Sequence, residues 1–298
     1  MKTRIRLVVT GLTLCAALWA MPETVSGQIY VDNDVSGTIG EYNLDGSTVN
    51  DSLVSGLNQP YGLTVSGGNI YVVNYGNNTI GKYTTSGGTV NTSLVSGLQG
   101  SVGVAVSGGN IYVGNIYSDT IGEYNLDGTT VNDSLISGVD GPYGLAVSGG
   151  HIYVVDDGTD TIGEYNLDGS TVNASLVSGL NQPVGIAVSG GDIYVTNLGN
   201  KTIGEYTTAG ATVNPSLISG LFGPYGLAVF GGDIYVANVD NGTIGEYTTA
   251  GATVNPSLIS GLNGPEFLDI EPAPEPSTFA LAGLGAASLF AFRRKSKK

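Results

Sequence analysis

The sequence is poor in the residues that carry most enzyme and metal chemistry. It has one cysteine (Cys15), one tryptophan (Trp19), one histidine (His151) and two methionines (Met1 and Met21), and all but the histidine lie in the first 21 residues. Once that segment is removed, no disulfide, thiol nucleophile or thiolate metal ligand remains. With a single imidazole, any triad or histidine metal site would rest on His151 alone. Basic residues are scarce as well, 10 Lys and Arg against 25 Asp and Glu. Between Gln28 and Glu271 only Lys82 and Lys201 oppose 23 acidic residues, a net charge of about −21. Such a surface repels nucleic acid and anionic lipid headgroups, which excludes an RNA-binding role. No helical periodicity interrupts this region, and the long apolar runs are confined to the two ends of the chain.

What the sequence has in abundance is one phrase. Ile-Tyr-Val stands at Ile29, Ile70, Ile111, Ile152, Ile193 and Ile234, always 41 residues apart, and Thr-Ile-Gly keeps the same step from Thr38 to Thr243. Six copies without an insertion mean one supersecondary unit stacked on copies of itself. Each copy holds four short runs of Val, Ile, Tyr and Thr separated by Gly, Asn, Asp and Ser, the signature of strands joined by tight turns. In the second copy, strand a is expected over Gly62–Val65, b over Asn69–Asn74, c over Thr79–Thr84 and d over Thr89–Val95. The turns Ser66–Asn69 and Asn-Leu-Asp-Gly or Thr-Thr-Ala-Gly supply the positive φ that hairpins demand. Four antiparallel strands per repeat make a propeller blade. Pro215 and Pro256 fall in strand d, which places d at the outer edge and a around the axis.

Where the copies begin and end sets the number of blades. Ile29 opens a copy that has b, c and d but no a, whereas Pro265-Glu266-Phe267-Leu268-Asp269-Ile270 is a leftover strand a. Pairing the two closes an all-β, six-bladed propeller with no exposed edge at the seam. At this level the text resembles a known family. Pro142–Val147 (Pro-Tyr-Gly-Leu-Ala-Val), then Gly231–Asn238 (Gly-Gly-Asp-Ile-Tyr-Val-Ala-Asn) and Asn-x-Thr-Ile at Asn241, resemble the NHL repeat and the streptogramin-lyase type of propeller repeat. The resemblance covers roughly Gln28 to Ile270. It implies the fold but not one activity, since such propellers bind proteins, nucleic acids or small molecules and some relatives are hydrolases or lyases.

The two ends carry targeting signals. Residues 1–27 set Lys2, Arg4 and Arg6 before an apolar run from Leu7 to Met21 and the small residues of Val25-Ser26-Gly27, the layout of a secretory signal peptide cut before Gln28. Residues 272–298 hold Pro274-Glu275-Pro276, an apolar stretch from Phe279 to Phe292, and a basic tail over 293–298 that begins with Arg293 and Arg294. These three parts in this order resemble the PEP-CTERM sorting signal. The resemblance implies an exosortase-type membrane enzyme as a partner, and a precursor held briefly in the inner membrane before export. A 14-residue helix rises about 21 Å, short of the roughly 30 Å hydrocarbon core, in keeping with a transient transmembrane helix.

Several columns of the repeat are candidates for a site. After strand b stand Asn33, Asn74, Asn115, Asp156, Asn197 and Asn238; in the d-to-a loop stand Tyr61, Val102, Tyr143, Val184, Tyr225 and Glu266. The two loops are expected to share one face around the channel. Tyr61, Tyr143 and Tyr225 would there offer a platform for sugar stacking or hydrogen bonding. The asparagines have a structural reading too, since Asn after a strand commonly bonds loop backbone. Asp156, Asp157 and Asp160, with Asp140 nearby, supply oxygens of the kind Ca²⁺ prefers, and Asp32-Asn33-Asp34 is a thinner version. A solvated acidic turn accounts for either. His151 occupies an a-to-b turn on the opposite face. No cofactor is required by any of these features, and Ca²⁺ is the one ion they suggest. Because near-identical blades repeat the same Tyr, Asn and Thr, no asymmetric catalytic set stands out, and the sequence reads as an exported binding or structural module of the cell surface or extracellular matrix. Its partners would be a polysaccharide, a small ligand or a surface protein. The alternative is a secreted hydrolase or lyase of the lactonase or streptogramin-lyase type.

Overall fold

The computed structural model describes residues 27–272, and both terminal signals lie outside the described residues. Strands β1 (Gly27–Asn33), β2 (Thr38–Asn43) and β3 (Thr48–Ser55) form a meander. The first complete unit follows as β4 (Pro60–Ser66), β5 (Asn69–Asn74), β6 (Thr79–Thr84) and β7 (Thr89–Ser96). It recurs through β8–β11 (residues 101–137), β12–β15 (142–178), β16–β19 (183–219) and β20–β23 (224–260). The last strand, β24 (Pro265–Pro272), returns to β1, so the six sheets have four antiparallel strands each. In the closing pair Ile29 faces Ile270 and Gly27 faces Pro272. The expected closure is therefore the observed one, with Gly27 recruited into the sheet one residue before the expected start. Among the described residues the helical content is two 3₁₀ turns, Tyr75–Asn77 and Val239–Asn241, and no helix is long and apolar enough to cross a membrane.

Strand b differs from the simple alternation its sequence suggests. Ile70, Tyr71, Val72 and Val73 are all buried, because each blade is covered on both faces by its neighbours. Ile70 and Val72 pack toward Tyr30 and Ile39 of the preceding blade, whereas Tyr71 and Val73 pack toward Ile111 and Val113 of the next. Period-2 pleating thus splits one strand between two cores. Six such cores circle the axis, the last joining Ile29, Val31, Leu268 and Ile270 to Tyr235 and Ile244. In strand c, glycine makes room for an aromatic ring, since a Cβ on Gly81 would lie 2.8 Å from the Tyr83 ring. The outer strands are exposed along their first five residues, and Pro215 and Pro256 sit there as their missing N–H requires.

Candidate functional site

The asparagine column is a set of staples. The backbone N–H of Asn58 donates to Oδ1 of Asn74 (3.2 Å), and the same bond runs from Gln99 to Asn115 (3.2 Å), Asn181 to Asn197 (3.1 Å), Phe222 to Asn238 (3.2 Å) and Asn263 to Asn33 (3.3 Å). Asp156 takes the role in the fourth blade, accepting from the Asp140 N–H (3.1 Å). All six side chains are buried. Their oxygens fix the incoming d-to-a loop against the b-to-c loop, and this sets the height of the tyrosines that the d-to-a loop carries.

Two of those tyrosines meet, and others lie beside them. Tyr61 lies edge-on to Tyr225 at 6.3 Å between ring centroids, and 5.6 Å from Tyr75 of its own blade. Tyr75 in turn lies 6.3 Å from Tyr117, and their hydroxyls are hydrogen-bonded. Tyr143 holds the same loop position as Tyr61, two blades on, and is half-buried. Burial, then the charge of Glu266, then the hydrogen bond with Tyr225 push the Tyr61 phenol far up. Burial raises Tyr143 to about 12 and raises Tyr225 as well. All three therefore stay protonated at ordinary pH and present O–H donors. The sequence columns pointed to Tyr61, Tyr143 and Tyr225 but not to Tyr75 and Tyr117, which stand where other blades carry Asp34 or Asp157 and Val35 or Asp240. The same face displays Val35, Tyr117 and Phe222 as exposed apolar side chains, each a departure from the repeat.

Beside the tyrosines the ring symmetry breaks at the seam. Where other blades have Tyr or Val, β24 places Glu266, only 6% exposed. Asp32, fully buried, takes the position held elsewhere by Val73, Val155 or Thr196. Its Oδ1 accepts the N–H groups of Glu266 (3.1 Å) and Phe267 (2.6 Å). Thr196 does the equivalent work in the fifth blade, accepting from the Gly185 N–H (2.8 Å) and donating to the Tyr225 carbonyl (2.5 Å). Asp34 is held alongside by its own N–H, which donates to the Gly264 carbonyl (2.9 Å). Oδ2 of Asp32, Oδ1 of Asp34 and Oε2 of Glu266 are buried without a hydrogen-bond partner. Burial, reinforced by Asp34, raises the Glu266 carboxyl to about 8, and burial drives Asp32 well above the carboxylate range.

Below the tyrosines runs a central cavity of about 270 Å³, walled by Ala105, Ala146, Ala187 and Ala228 and interrupted by Phe267 and Asp269 of β24. Asp269 is fully engaged, accepting from Thr64 Oγ1 (3.0 Å), Val65 N–H (2.8 Å) and Ile270 N–H (2.8 Å). The acidic turn is engaged in part. Asp156 accepts from Asp140 and Thr159 (3.1 Å each), and Asp160 from the Gln182 N–H (2.8 Å), while Asp157 is raised first by burial and then by Asp160, Asp156 and Asp140. Among the described residues no three His, Cys, Asp or Glu side chains are arranged to hold a metal ion. His151 lies at the far end of its strand from Asp156, about 17 Å along the chain. There its Nδ1 stands 3.5 Å from Glu164, to which Tyr153 also donates (3.4 Å), so the imidazole and the tyrosine face do not converge.

Comparison with known proteins agrees with this architecture. The NHL repeat matches residues 180–206, and the PEP-CTERM protein-sorting motif matches residues 272–295. The latter is a signal of export and cell-surface sorting through exosortase-type processing. No curated protein matches the chain in sequence. Among solved structures, a chain of the nidogen/laminin complex superposes with a TM-score of 0.67 at 16% identity, over 82% of this chain and 98% of that one. A streptogramin B lyase gives 0.63 at 20% identity, over 82% and 83%. A protein of unknown function from Bacteroides caccae gives 0.65 at 15%, over 82% and 98%. Identities this low establish the shared fold alone.

Proposed function

We propose that this protein is an exported binding module, released at the cell surface after brief anchoring by its C-terminal helix, that engages a polysaccharide through its tyrosine face. The observation that carries this reading is the gathering on one face of side chains the repeat does not require: Tyr75, Tyr117, Phe222 and Val35 beside Tyr61, Tyr143 and Tyr225. Half-exposed phenols offer flat apolar surface and O–H donors together, the combination a sugar ring presents in complement. One structural neighbour is a chain of the nidogen/laminin complex, which favours recognition over catalysis for this shape. A lyase reading draws on the streptogramin B lyase neighbour but lacks an imidazole on the tyrosine face.

The test is thermal unfolding of the full chain against a panel of neutral, acidic and amine-bearing polysaccharides, each with and without millimolar Ca²⁺. A ligand present at 100 times its dissociation constant adds about 2.7 kcal/mol to the folded state, a shift of a few degrees. The shift should vanish in Tyr61→Ala. A Ca²⁺ effect lost in Asp157→Ala would place the ion at the acidic turn. No shift with any polysaccharide refutes the reading and leaves a spacer of the extracellular matrix.

A further inference from the structure

The seam carboxylates ask for an explanation that ring closure does not give. Closure is served by Asp32, whose Oδ1 takes both free amides of the arriving strand. The Glu266 side chain fastens nothing. Five other blades fill its position with Tyr or Val, so the fold does not need a carboxyl there. Yet Glu266 is buried with Oε2 unpartnered, and Asp34, next to it, keeps Oδ1 unpartnered as well. A buried acceptor without a donor costs free energy, more so when it is ionisable. Tyr61 and Tyr225 hold the same loop position in other blades and stand edge-on at 6.3 Å, and no hydroxyl bonds the Glu266 carboxyl.

We infer that Glu266 and Asp34, framed by Tyr61, Tyr143 and Tyr225, form a receptor for a primary ammonium group borne by an amino sugar of the polysaccharide. A primary ammonium brings one positive charge and three N–H donors, enough for both orphan oxygens. Charge-assisted bonds of this kind are about twice as strong as neutral ones. Tyrosine rings attract the cation through their faces, and the net acidic surface draws polycations toward it. The carboxylates lack the arrangement a metal ion needs, whereas an ammonium group tolerates looser and fewer contacts. A sugar is favoured over a lysine side chain because the tyrosines continue past the carboxylates through Tyr75 to Tyr117, giving a platform for neighbouring rings of the same polymer. The inference rests on the tyrosine face being the binding face.

It is tested with the full chain and three probes, read by saturation-transfer NMR and by thermal shift: glucosamine trimer, the same trimer fully N-acetylated, and Nα-acetyl-lysine amide. The free trimer should bind about tenfold or more tightly than the acetylated one. Glu266→Gln, which keeps shape and cannot give up a proton to meet the cation, should abolish that preference, and Asp34→Asn should reduce it from a half-buried position where folding is not at stake. Tyr61→Ala should weaken both trimers. Equal binding of the two trimers, or a preference that survives Glu266→Gln, overturns the ammonium receptor while leaving the tyrosine-face reading intact if Tyr61→Ala still matters. If neither trimer binds, the ammonium receptor falls, and the tyrosine-face reading is decided separately by the polysaccharide panel. Tighter binding of the lysine derivative than of the free trimer overturns the assignment to a sugar.

Discussion

Five of the six blades and the sixth solve the same packing problem with different chemistry. In the five continuous blades the inner strand is uncharged, as in Pro142–Val147, and its glycine lets neighbouring inner strands approach: a Cβ on Gly103 would collide with the Tyr143 carbonyl. In the closing blade the inner strand reads Pro-Glu-Phe-Leu-Asp-Ile-Glu, with Phe267 in place of glycine and three acids. Two of those acids act as fasteners. Asp269 binds Thr64 and Val65 of β4, and Glu271 accepts the Gly68 N–H (3.0 Å). A continuous blade is brought to its neighbour by a short loop; β24 arrives from the other end of the chain and must offset a larger loss of chain entropy. Carboxylates bonded to backbone amides supply directional contacts that the apolar interface alone does not.

Removing residues 265–272 is the severest way to break this comparison. It strips Leu268 and Ile270 from the last core and leaves β1 as an unpaired inner edge. The expected result is loss of the cooperative thermal transition and appearance of oligomers in size-exclusion chromatography. A monomer that still melts sharply would show that five blades and a three-stranded remnant suffice.

A finer comparison sets Asp32→Ala against Thr196→Ala. The first leaves two buried N–H groups without acceptors and should cost roughly 3 kcal/mol. The second leaves one N–H and one carbonyl without a partner, and should cost roughly 1–2 kcal/mol. Chemical denaturation measures both, and equal losses would remove the seam's special standing.

The repeat made the fold legible, and the same repetition hid the site. A 41-residue period, two prolines in strand d and one leftover inner strand were enough to give six blades and their closure. The asparagine column was visible too, but its partners were not, because five of the six oxygens meet a backbone amide 16 residues upstream, and Asn33 one 230 residues downstream, that no side-chain motif marks. Asp32-Asn33-Asp34 looked like one acidic turn. In the fold its members part: Asp32 bonds amides more than 230 residues away, Asn33 holds a loop, and Asp34 ties its N–H to Gly264, two residues before Glu266. The meeting of Tyr75 with Tyr117 was not legible, because the two occupy different columns and come together only when neighbouring blades are stacked.

The smallest expected effect, a pH dependence, separates the seam from the general acidity of the molecule. Asp32, Asp34, Asp157, Glu266 and Asp269 all have carboxyls raised by burial, so the folded chain holds protons that the unfolded chain has already released. Their contribution is therefore complete at and below the ordinary carboxyl range near 4 and is lost as pH rises toward about 8, where Glu266 releases its proton. Asp45, Asp127 and Asp168 act in the opposite sense, since their turn hydrogen bonds lower them and their contribution disappears only in stronger acid. The melting temperature should peak near pH 5 and decline to pH 8, by an amount on the order of 1–3 kcal/mol in stability. Repulsion among surface carboxylates slopes the same way, but about 0.5 M salt screens it, whereas the buried term persists. In that salt Glu266→Gln should make the decline shallower across the whole window from about 4.5 to 8, leaving the part that the other buried carboxyls supply. A profile that is flat in salt for the parent chain, or unchanged by Glu266→Gln, would mean that the seam titrates like the rest of the surface.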